Sequence, residues 1–148
     1  MGRVIHGKAI VPGCAEGQAL VTDEPLSFWG GFDYHTGEIT DRRHPLSGQI
    51  AAGRVLAVPF TRGSSTTTAV LLEAVRAGTA PAAILTTVID SFFALASIVA
   101  DEMYRRPIPI VALPPVEFAA LRTGDRLTVE EDGTVHIEAQ DQKAKALS

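Results

Sequence analysis

The sequence predicts a single α/β domain, and three observations lead to this prediction. The chain has 148 residues, which is the size of one ordinary domain. Its first half carries strand-length apolar runs separated by glycine and proline, and its second half alternates helix-period segments with strand-like ones. The resulting order is strands, then β-α-β-α-β, then a hairpin. We expect residues 1–138 to form the domain and residues 139–148 to be a polar, frayed C-terminal tail.

The first half of the sequence supplies the leading strands. Apolar runs of strand type cover residues 4–11 and 16–22, and residues 26–33 offer a third. Residues 34–53 contain turn residues and charge with little periodicity, so they are predicted to form a long loop with one brief strand, here called the 34–53 loop. Residues 54–60 are apolar from Val55 onward, which is typical of a strand covered on both faces.

The second half of the sequence supplies the predicted helices. Apolar residues recur every three to four positions in two segments, and Gly78 is placed as the C-terminal cap of the first. The last two strands are joined by an Asp-Gly turn, which is typical of a hairpin. In chain order the predicted elements are helix 65–77, strand 81–88, helix 91–104, strand 107–113, short helix 116–121 and hairpin 125–137.

Charge and composition limit the functions open to this chain. The formal net charge is −4 and the basic residues are scattered, so no basic stripe predicts binding to nucleic acid. Cys14 is the single cysteine, which excludes an internal disulfide and a self-contained iron–sulfur or cysteine-rich zinc site. Residues 92–100, the longest apolar run, are too short to span a bilayer, and the first residues lack a signal-peptide pattern. We therefore expect a soluble, cytoplasmic protein without a membrane partner.

A cluster of small polar residues lies where the apolar strand gives way to a helix, in the sequence PFTRGSSTTTAVLLEAV. Gly63 permits a sharp turn, and Arg62 can hold a carboxylate or phosphate through two parallel hydrogen bonds. The free N–H groups of the first helical turn favour an anion beside Ser64, and such donors would also stabilise a serine alkoxide. The alternative is an ordinary helix N-cap with no catalytic role. The segment matches neither the P-loop nor the G-x-S-x-G pattern.

The strand, the RGSS turn and the helix resemble the swivel domain of the aconitase superfamily. Three separated segments resemble more closely the small subunit of aconitase X, and they occur in the right order: GGFDYHTGEITDRRHPLSGQ, RGSSTTTAVLLEAVRAGTAPAAILTT and ALASIVADEMYRRPIPIV. The resemblance extends from about Val4 to Ile137. It implies a swivelling β/β/α domain of the aconitase-swivel type.

The resemblance also implies a function. Aconitase X enzymes are dehydratases in which a large subunit holds iron or an iron–sulfur cluster and the small subunit supplies a serine. This chain would then bind no cofactor itself and would need a large-subunit partner. Family activities are the dehydration of cis-3-hydroxy-L-proline in bacteria and of mevalonate 5-phosphate in archaea. The scarcity of Lys and the richness in Ala and Arg favour the bacterial substrate.

By this resemblance, Ser64 is the catalytic base that removes the proton from the carbon bearing the carboxylate. Ser65, Gly63 and the adjoining N–H groups would hold the carboxylate, with Arg62 as a second anchor. Thr66 is also assigned to the substrate site, because ordinary aconitase-like swivel domains have there an arginine that binds a substrate carboxylate. Its replacement by threonine favours a substrate with fewer carboxylates than citrate.

The 34–53 loop and the residue before it carry further polar residues, namely Asp33, His35, Asp41 and His44. Their spacing matches no standard metal site, so no metal is predicted in this chain. The resemblance favours a role for Asp41, His44 and Pro45 in shaping the pocket or docking the partner, whereas ordinary solvated loop residues are the alternative.

Two further functions stay open at this point. The first alternative is the small subunit of a mevalonate 5-phosphate dehydratase. The second is a non-catalytic swivel module whose RGSS turn only binds an anion.

Overall fold

A mixed sheet of eight strands organises the chain. The structure is a computed structural model that describes residues 2–28, 31–60, 66–88 and 91–138. Within these ranges the strands are β1 Gly2–His6, β2 Lys8–Val11, β3 Ala15–Val21, β4 Phe32–Asp33, β5 Glu38–Ile39, β6 Val55–Ala57, β7 Ala83–Thr86, β8 Ile110–Ala112, β9 Arg126–Val129 and β10 Thr134–Glu138. The helices are α1 Thr66–Ala77, α2 Ser91–Tyr104 and α3 Pro115–Ala119. β4 and β5 form a separate two-stranded hairpin.

The strand order shows that the two ends of the large sheet meet. The order is β1-β10-β9-β3-β6-β7-β8-β2. β1 and β2 are at opposite ends of this order, yet only Gly7 separates them in sequence. The sheet therefore curls until its first and last strands adjoin. A Cβ at position 7 would clash with Val111 Cγ1 and would lie 3.0 Å from the backbone oxygen of Ala112, so the close packing at the crossing favours glycine.

Apolar side chains cover both faces of the parallel strands β6 and β7. Leu56 and Ile84 belong to a core that β6 and β7 share with α1 and α2. Their neighbours Val55 and Leu85 belong to a second core, shared with the antiparallel strands β1, β9 and β10 and with α3. The result is three layers, with antiparallel strands, parallel strands and helices in that order. The predicted α/β class and the β/β/α arrangement are thus confirmed.

Most elements lie where the sequence predicts them. α2 has the predicted bounds, α1 begins one residue later than predicted, and Gly78 has the positive φ of a C-terminal cap. The β9–β10 hairpin turns at the Asp-Gly pair as expected. The run 4–11 is strand, but it is divided at Gly7 into two strands that pair with different neighbours. Among the described residues of the segment 26–33, which was offered as a strand, β4 is the strand that forms.

The predicted tail, residues 139–148, lies outside the described residues, so the domain boundary stays a prediction. In the part of the chain that the structure describes, no helix combines the length and the apolar character needed to cross a membrane.

The 34–53 loop is fixed to the body of the domain by backbone hydrogen bonds and buried side chains. The Gly37 N–H donates to Asp33 O at 2.7 Å, and the Ala51 N–H donates to Gly37 O at 2.7 Å. Ile39 and Ala51 are fully buried in the core against the helices. The brief strand predicted within the loop is β5. The loop is therefore a packed part of the structure.

Gly37→Ala is expected to destabilise the domain strongly. Gly37 has φ +80°, and a Cβ there would lie 2.7 Å from Ala52 Cβ and 2.9 Å from Thr79 O. Left-handed backbone costs a non-glycine residue about 1–2 kcal/mol, and crowding adds about 1–3 kcal/mol. We expect urea denaturation to show a loss of about 2–5 kcal/mol in the free energy of unfolding.

The matched control is Gly48→Ala in the same loop. Gly48 has φ +84°, but a Cβ there would meet no atom within 4 Å. The free energy of unfolding should therefore fall only by the backbone contribution of about 1–2 kcal/mol. Equal losses in the two variants would contradict the close packing at Gly37.

Candidate active site

The carboxyl ends of β3, β6, β7 and β8 share one edge of the sheet, here called the carboxyl edge, because these strands run parallel. Ligand sites of parallel α/β sheets lie at this edge. The chain leaves β3 at Thr22, whose N–H donates to Ala57 O at 3.0 Å at the end of β6. The segments that follow β3 and β6 are therefore neighbours at the carboxyl edge.

The four residues of the predicted catalytic turn lie outside the described residues: Arg62, Gly63, Ser64 and Ser65. The elements on either side are described. β6 leads into this turn from the carboxyl edge, and α1 begins at Thr66 immediately after it. The predicted junction between a buried strand and a helix is therefore confirmed, and the roles of the individual residues stay predictions.

The approach to this turn is fixed at the carbonyl of Pro59. The hydroxyls of Thr86 and Thr87 both donate to Pro59 O, at 2.8 Å and 3.0 Å, and the Thr87 N–H lies 3.3 Å from the same oxygen. Thr86 is fully buried. Donors from the end of β7 thus hold the chain two residues before position 61.

A polar cleft of about 380 Å³, here called the His44 cleft, opens at the carboxyl edge. Its walls come from the segment that follows β3 and from the 34–53 loop. They are Glu24, Pro25, Ser27, Asp41, Arg43 and His44. Because the segment after β3 adjoins the end of β6, the His44 cleft and the predicted catalytic turn are at the same edge of the sheet.

A tight turn holds His44 in the wall of this cleft. Asp41 Oδ1 accepts a hydrogen bond from the Arg43 N–H at 3.0 Å, and Asp41 O accepts one from the His44 N–H at 3.0 Å. The Leu46 N–H donates to His44 Nδ1 at 3.1 Å. Leu46 itself is buried in the core. The imidazole ring is thereby fixed by its own backbone and by a core residue.

The hydrogen bond to Nδ1 determines where the ring proton is. A ring nitrogen that accepts from an amide N–H carries no proton, so the geometry assigns the ring proton to Nε2. His44 is only 7% exposed, and Nε2 has no hydrogen-bond partner among the described residues. A buried donor left unpaired costs about 1–3 kcal/mol. The Nε2 atom is therefore a buried polar atom for which the described part of the chain supplies no partner.

Two of the residues that the sequence analysis singled out line this cleft, and their role stays a prediction. Asp41 and His44, predicted to shape the pocket, both line it, whereas Pro45 is exposed and lies outside its walls. Glu24 and Ser27 were missed, since nothing in the sequence shows that β3 pairs in parallel with β6. The one available signal for Glu24 was its position shortly after the predicted strand 16–22, whereas Ser27 was placed inside the strand offered at 26–33.

The other polar residues near the loop do not form a metal site. Asp33 Oδ1 accepts from the His35 N–H at 2.8 Å, which is a local turn bond. Across residues 2–28, 31–60, 66–88 and 91–138, no group of three or more His, Cys, Asp or Glu side chains could hold a metal ion. Cys14 is exposed. The described residues therefore do not fit iron or an iron–sulfur cluster.

The Asp132 carboxyl, at the opposite edge of the sheet, has a lowered pKa. Hydrogen bonds from the Thr134 hydroxyl and the Thr134 N–H lower the pKa of the Asp132 carboxyl. Asp132 is in the turn that follows β9, and Ala15 pairs with Val129 where β3 begins. These hydrogen bonds therefore belong to the hairpin turn, which is remote from the His44 cleft.

Known proteins share the sequence pattern and the architecture of this chain. Residues 4–137 match the family model described as the aconitase X swivel domain. A crystal structure of Thermococcus kodakaraensis aconitase X in its holo form superposes with a TM-score of 0.81 at 34% identity, covering 91% of this chain and 98% of that one.

Curated relatives share most of this chain. A Pseudomonas aeruginosa protein named cis-3-hydroxy-L-proline dehydratase is 42% identical over 97% of this chain, which is 26% of the relative's length. A Thermococcus onnurineus protein named phosphomevalonate dehydratase small subunit is 36% identical over 90% of this chain and 98% of its own length. This chain thus spans about a quarter of the first relative and nearly all of the second.

Removing both hydroxyls that bond Pro59 O is expected to lower the free energy of unfolding by more than the sum of the two single removals. Thr86→Val or Thr87→Val leaves the other hydroxyl on Pro59 O, so each should lower the free energy of unfolding by about 0.5–1.5 kcal/mol. Among the described donors, the double variant leaves the Thr87 N–H at 3.3 Å from Pro59 O. Urea denaturation should show an excess loss of at least about 0.5 kcal/mol. Strict additivity would mean that the carbonyl is satisfied in another way.

Proposed function

Because this chain belongs to the aconitase X swivel-domain family, we propose that it is the small subunit of a dehydratase that eliminates water from cis-3-hydroxy-L-proline. The observation that carries this proposal is the 42% identity, over 97% of this chain, with the Pseudomonas aeruginosa protein of that name. The activity would require a large subunit, since the relative is about four times as long as the region it shares with this chain.

In this proposal, Ser64 is the base. Its alkoxide takes the proton from the carbon that bears the carboxylate, the C–H electron pair becomes the C=C bond, and the hydroxyl on the next carbon departs. The free N–H groups at the start of α1, a 12-residue helix, favour the negative charge on Ser64 and on the carboxylate. Ser65 and Gly63 hold the carboxylate, with Arg62 as a second anchor and Thr66 beside them.

The large subunit is proposed to hold the iron or iron–sulfur cluster, because the described residues of this chain offer no suitable ligand set. When bound, that group supplies Lewis-acid chemistry. The large subunit would cover the carboxyl edge. Exposed apolar side chains there support this placement, because Phe60 follows β6 with 45% exposure and Val88 follows β7 with 46% exposure. We further propose that the complex is cytoplasmic and binds neither nucleic acid nor membranes.

A second candidate is the small subunit of a phosphomevalonate (mevalonate 5-phosphate) dehydratase. The Thermococcus onnurineus relative of that name favours it, because this chain matches 98% of that protein's length at 36% identity. The two candidates share Ser64 as the base and differ in the substrate that the assembled enzyme accepts.

Ser64→Ala is expected to abolish most of the dehydratase activity without affecting assembly. A general base contributes about 10²- to 10⁴-fold to the rate, so kcat/KM for cis-3-hydroxy-L-proline should fall by about that factor. The assay uses this chain together with the large subunit from the same organism. Assembly is measured by size-exclusion chromatography with light scattering.

Ser47→Ala is the matched control, because Ser47 is an exposed serine that does not line the His44 cleft. It should keep full activity. If Ser64→Ala assembles normally and stays fully active, Ser64 is not the base. If no large subunit binds the wild-type chain, the non-catalytic anion-binding module becomes the better description.

A further inference from the structure

The carbonyl oxygen of Pro59 receives more donors than a backbone carbonyl needs. The Thr86 hydroxyl donates to it at 2.8 Å and the Thr87 hydroxyl at 3.0 Å, and the Thr87 N–H lies 3.3 Å away. A carbonyl oxygen has two lone pairs, and a single hydrogen bond already satisfies it in a protein interior. Two side-chain hydroxyls on one oxygen therefore fix its direction in addition to satisfying it.

A fixed oxygen at this position fixes the direction in which the chain leaves the sheet. Each residue has two soft backbone torsions, φ and ψ. The pyrrolidine ring of Pro59 holds φ, and ψ determines where its carbonyl oxygen points. Because donors from the end of β7 hold that oxygen, both torsions of Pro59 are held. The chain therefore leaves β6 towards the predicted catalytic turn in one direction.

The other end of the predicted catalytic turn is held by the core. α1 begins at Thr66, and its residues Val70 and Leu71 are buried in the core that it shares with α2. Ser64 lies between these two held ends in sequence, after Pro59 and before Thr66. The carbonyl of Pro59 is thus the attachment of this turn to the sheet on its strand side.

We propose that Thr86 and Thr87 are positioning residues for the base of the dehydratase, and that they act on Ser64 through the carbonyl of Pro59. Thr86 is fully buried and its hydroxyl is used by Pro59 O, so it acts through the chain and does not touch the substrate. This inference rests on the proposed function and deepens it. The alternative is that the two hydroxyls contribute to stability alone.

The first test measures the turn itself and needs no activity. In the double variant Thr86→Val/Thr87→Val of the full chain, amide hydrogen exchange in peptides covering residues 60–66 should become at least about 10-fold faster, because the local structure opens more easily. The double variant Thr86→Ser/Thr87→Ser keeps both hydroxyls. Its exchange in the same peptides should stay close to that of the wild type, as measured by mass spectrometry well below the unfolding temperature.

The matched control is Thr79→Val, which makes the same substitution at the opposite edge of the sheet. The Thr79 hydroxyl also donates to a backbone carbonyl, that of Tyr34, and Thr79 precedes β7. This variant should lose stability but should leave the exchange of residues 60–66 unchanged. It therefore separates a local effect on the turn from a general loss of stability.

The second test measures catalysis in the complex with the large subunit. For Thr86→Val/Thr87→Val, kcat for cis-3-hydroxy-L-proline per assembled complex should fall about 10- to 100-fold, because a small misplacement of a reacting group is that costly. Thr86→Ser/Thr87→Ser should recover most of the activity, and Thr79→Val should retain it. A role in stability alone would leave kcat per assembled complex unchanged in all these variants.

Four results would overturn the inference. The first is unchanged exchange of residues 60–66 in the double valine variant. The second is faster exchange there with an unchanged kcat, and the third is an equal loss of kcat in Thr79→Val. The fourth is a wild-type complex inactive on both cis-3-hydroxy-L-proline and mevalonate 5-phosphate. This last result would overturn the proposed function as well, and the wild-type assay alone distinguishes it from the other three.

Discussion

The parallel pairing of β3 with β6 is the constraint on which the functional edge depends. Leu20 pairs with Leu56 and Val21 with Ala57, and the Thr22 N–H closes the ladder on Ala57 O. This register brings the segment after β3 beside the strand that leads to the predicted catalytic turn. A shift by one residue would turn the buried side chains of β3 to the wrong face. The polar cleft therefore owes its position to hydrogen bonds between apolar strands.

Polar residues in the walls of the His44 cleft have buried leucines close to them in sequence. Leu26 precedes Ser27 and is fully buried, and Leu46, two residues after His44, is also buried. The helix-side core thus reaches into both walls of the cleft. Side chains held in this way lose little further freedom when a ligand binds, which is how a preorganised site gains affinity. The 34–53 loop is long and irregular, yet its position is fixed because side chains such as Leu46 are buried in the core.

The sequence was sufficient for elements governed by local patterns. Helix periodicity located α1 and α2, continuous apolar runs located β6 and β7, and the Asp-Gly pair located the last hairpin. It was insufficient wherever pairing between distant segments decides the structure. The division of 4–11 at Gly7 depends on β8 and β10, and the addition of Glu24 and Ser27 to the cleft depends on β6. The orphaned nitrogen of His44 depends on burial by surrounding residues, which spacing does not reveal. Ser64 was inferred by resemblance and lies outside the described residues.

Pairing of β1 with β10 brings the two termini of the domain together. Gly2 is opposite Glu138 in adjacent antiparallel strands, so the chain enters and leaves within about 5 Å. Such a module can be inserted into a longer polypeptide, or joined to another domain at either end, without disturbing its interior. This geometry explains how one architecture occurs both as a separate small protein in Thermococcus onnurineus and as a quarter of a single longer polypeptide in Pseudomonas aeruginosa. A linker joined at either terminus would therefore leave the module from the same place, beside β1 and β10.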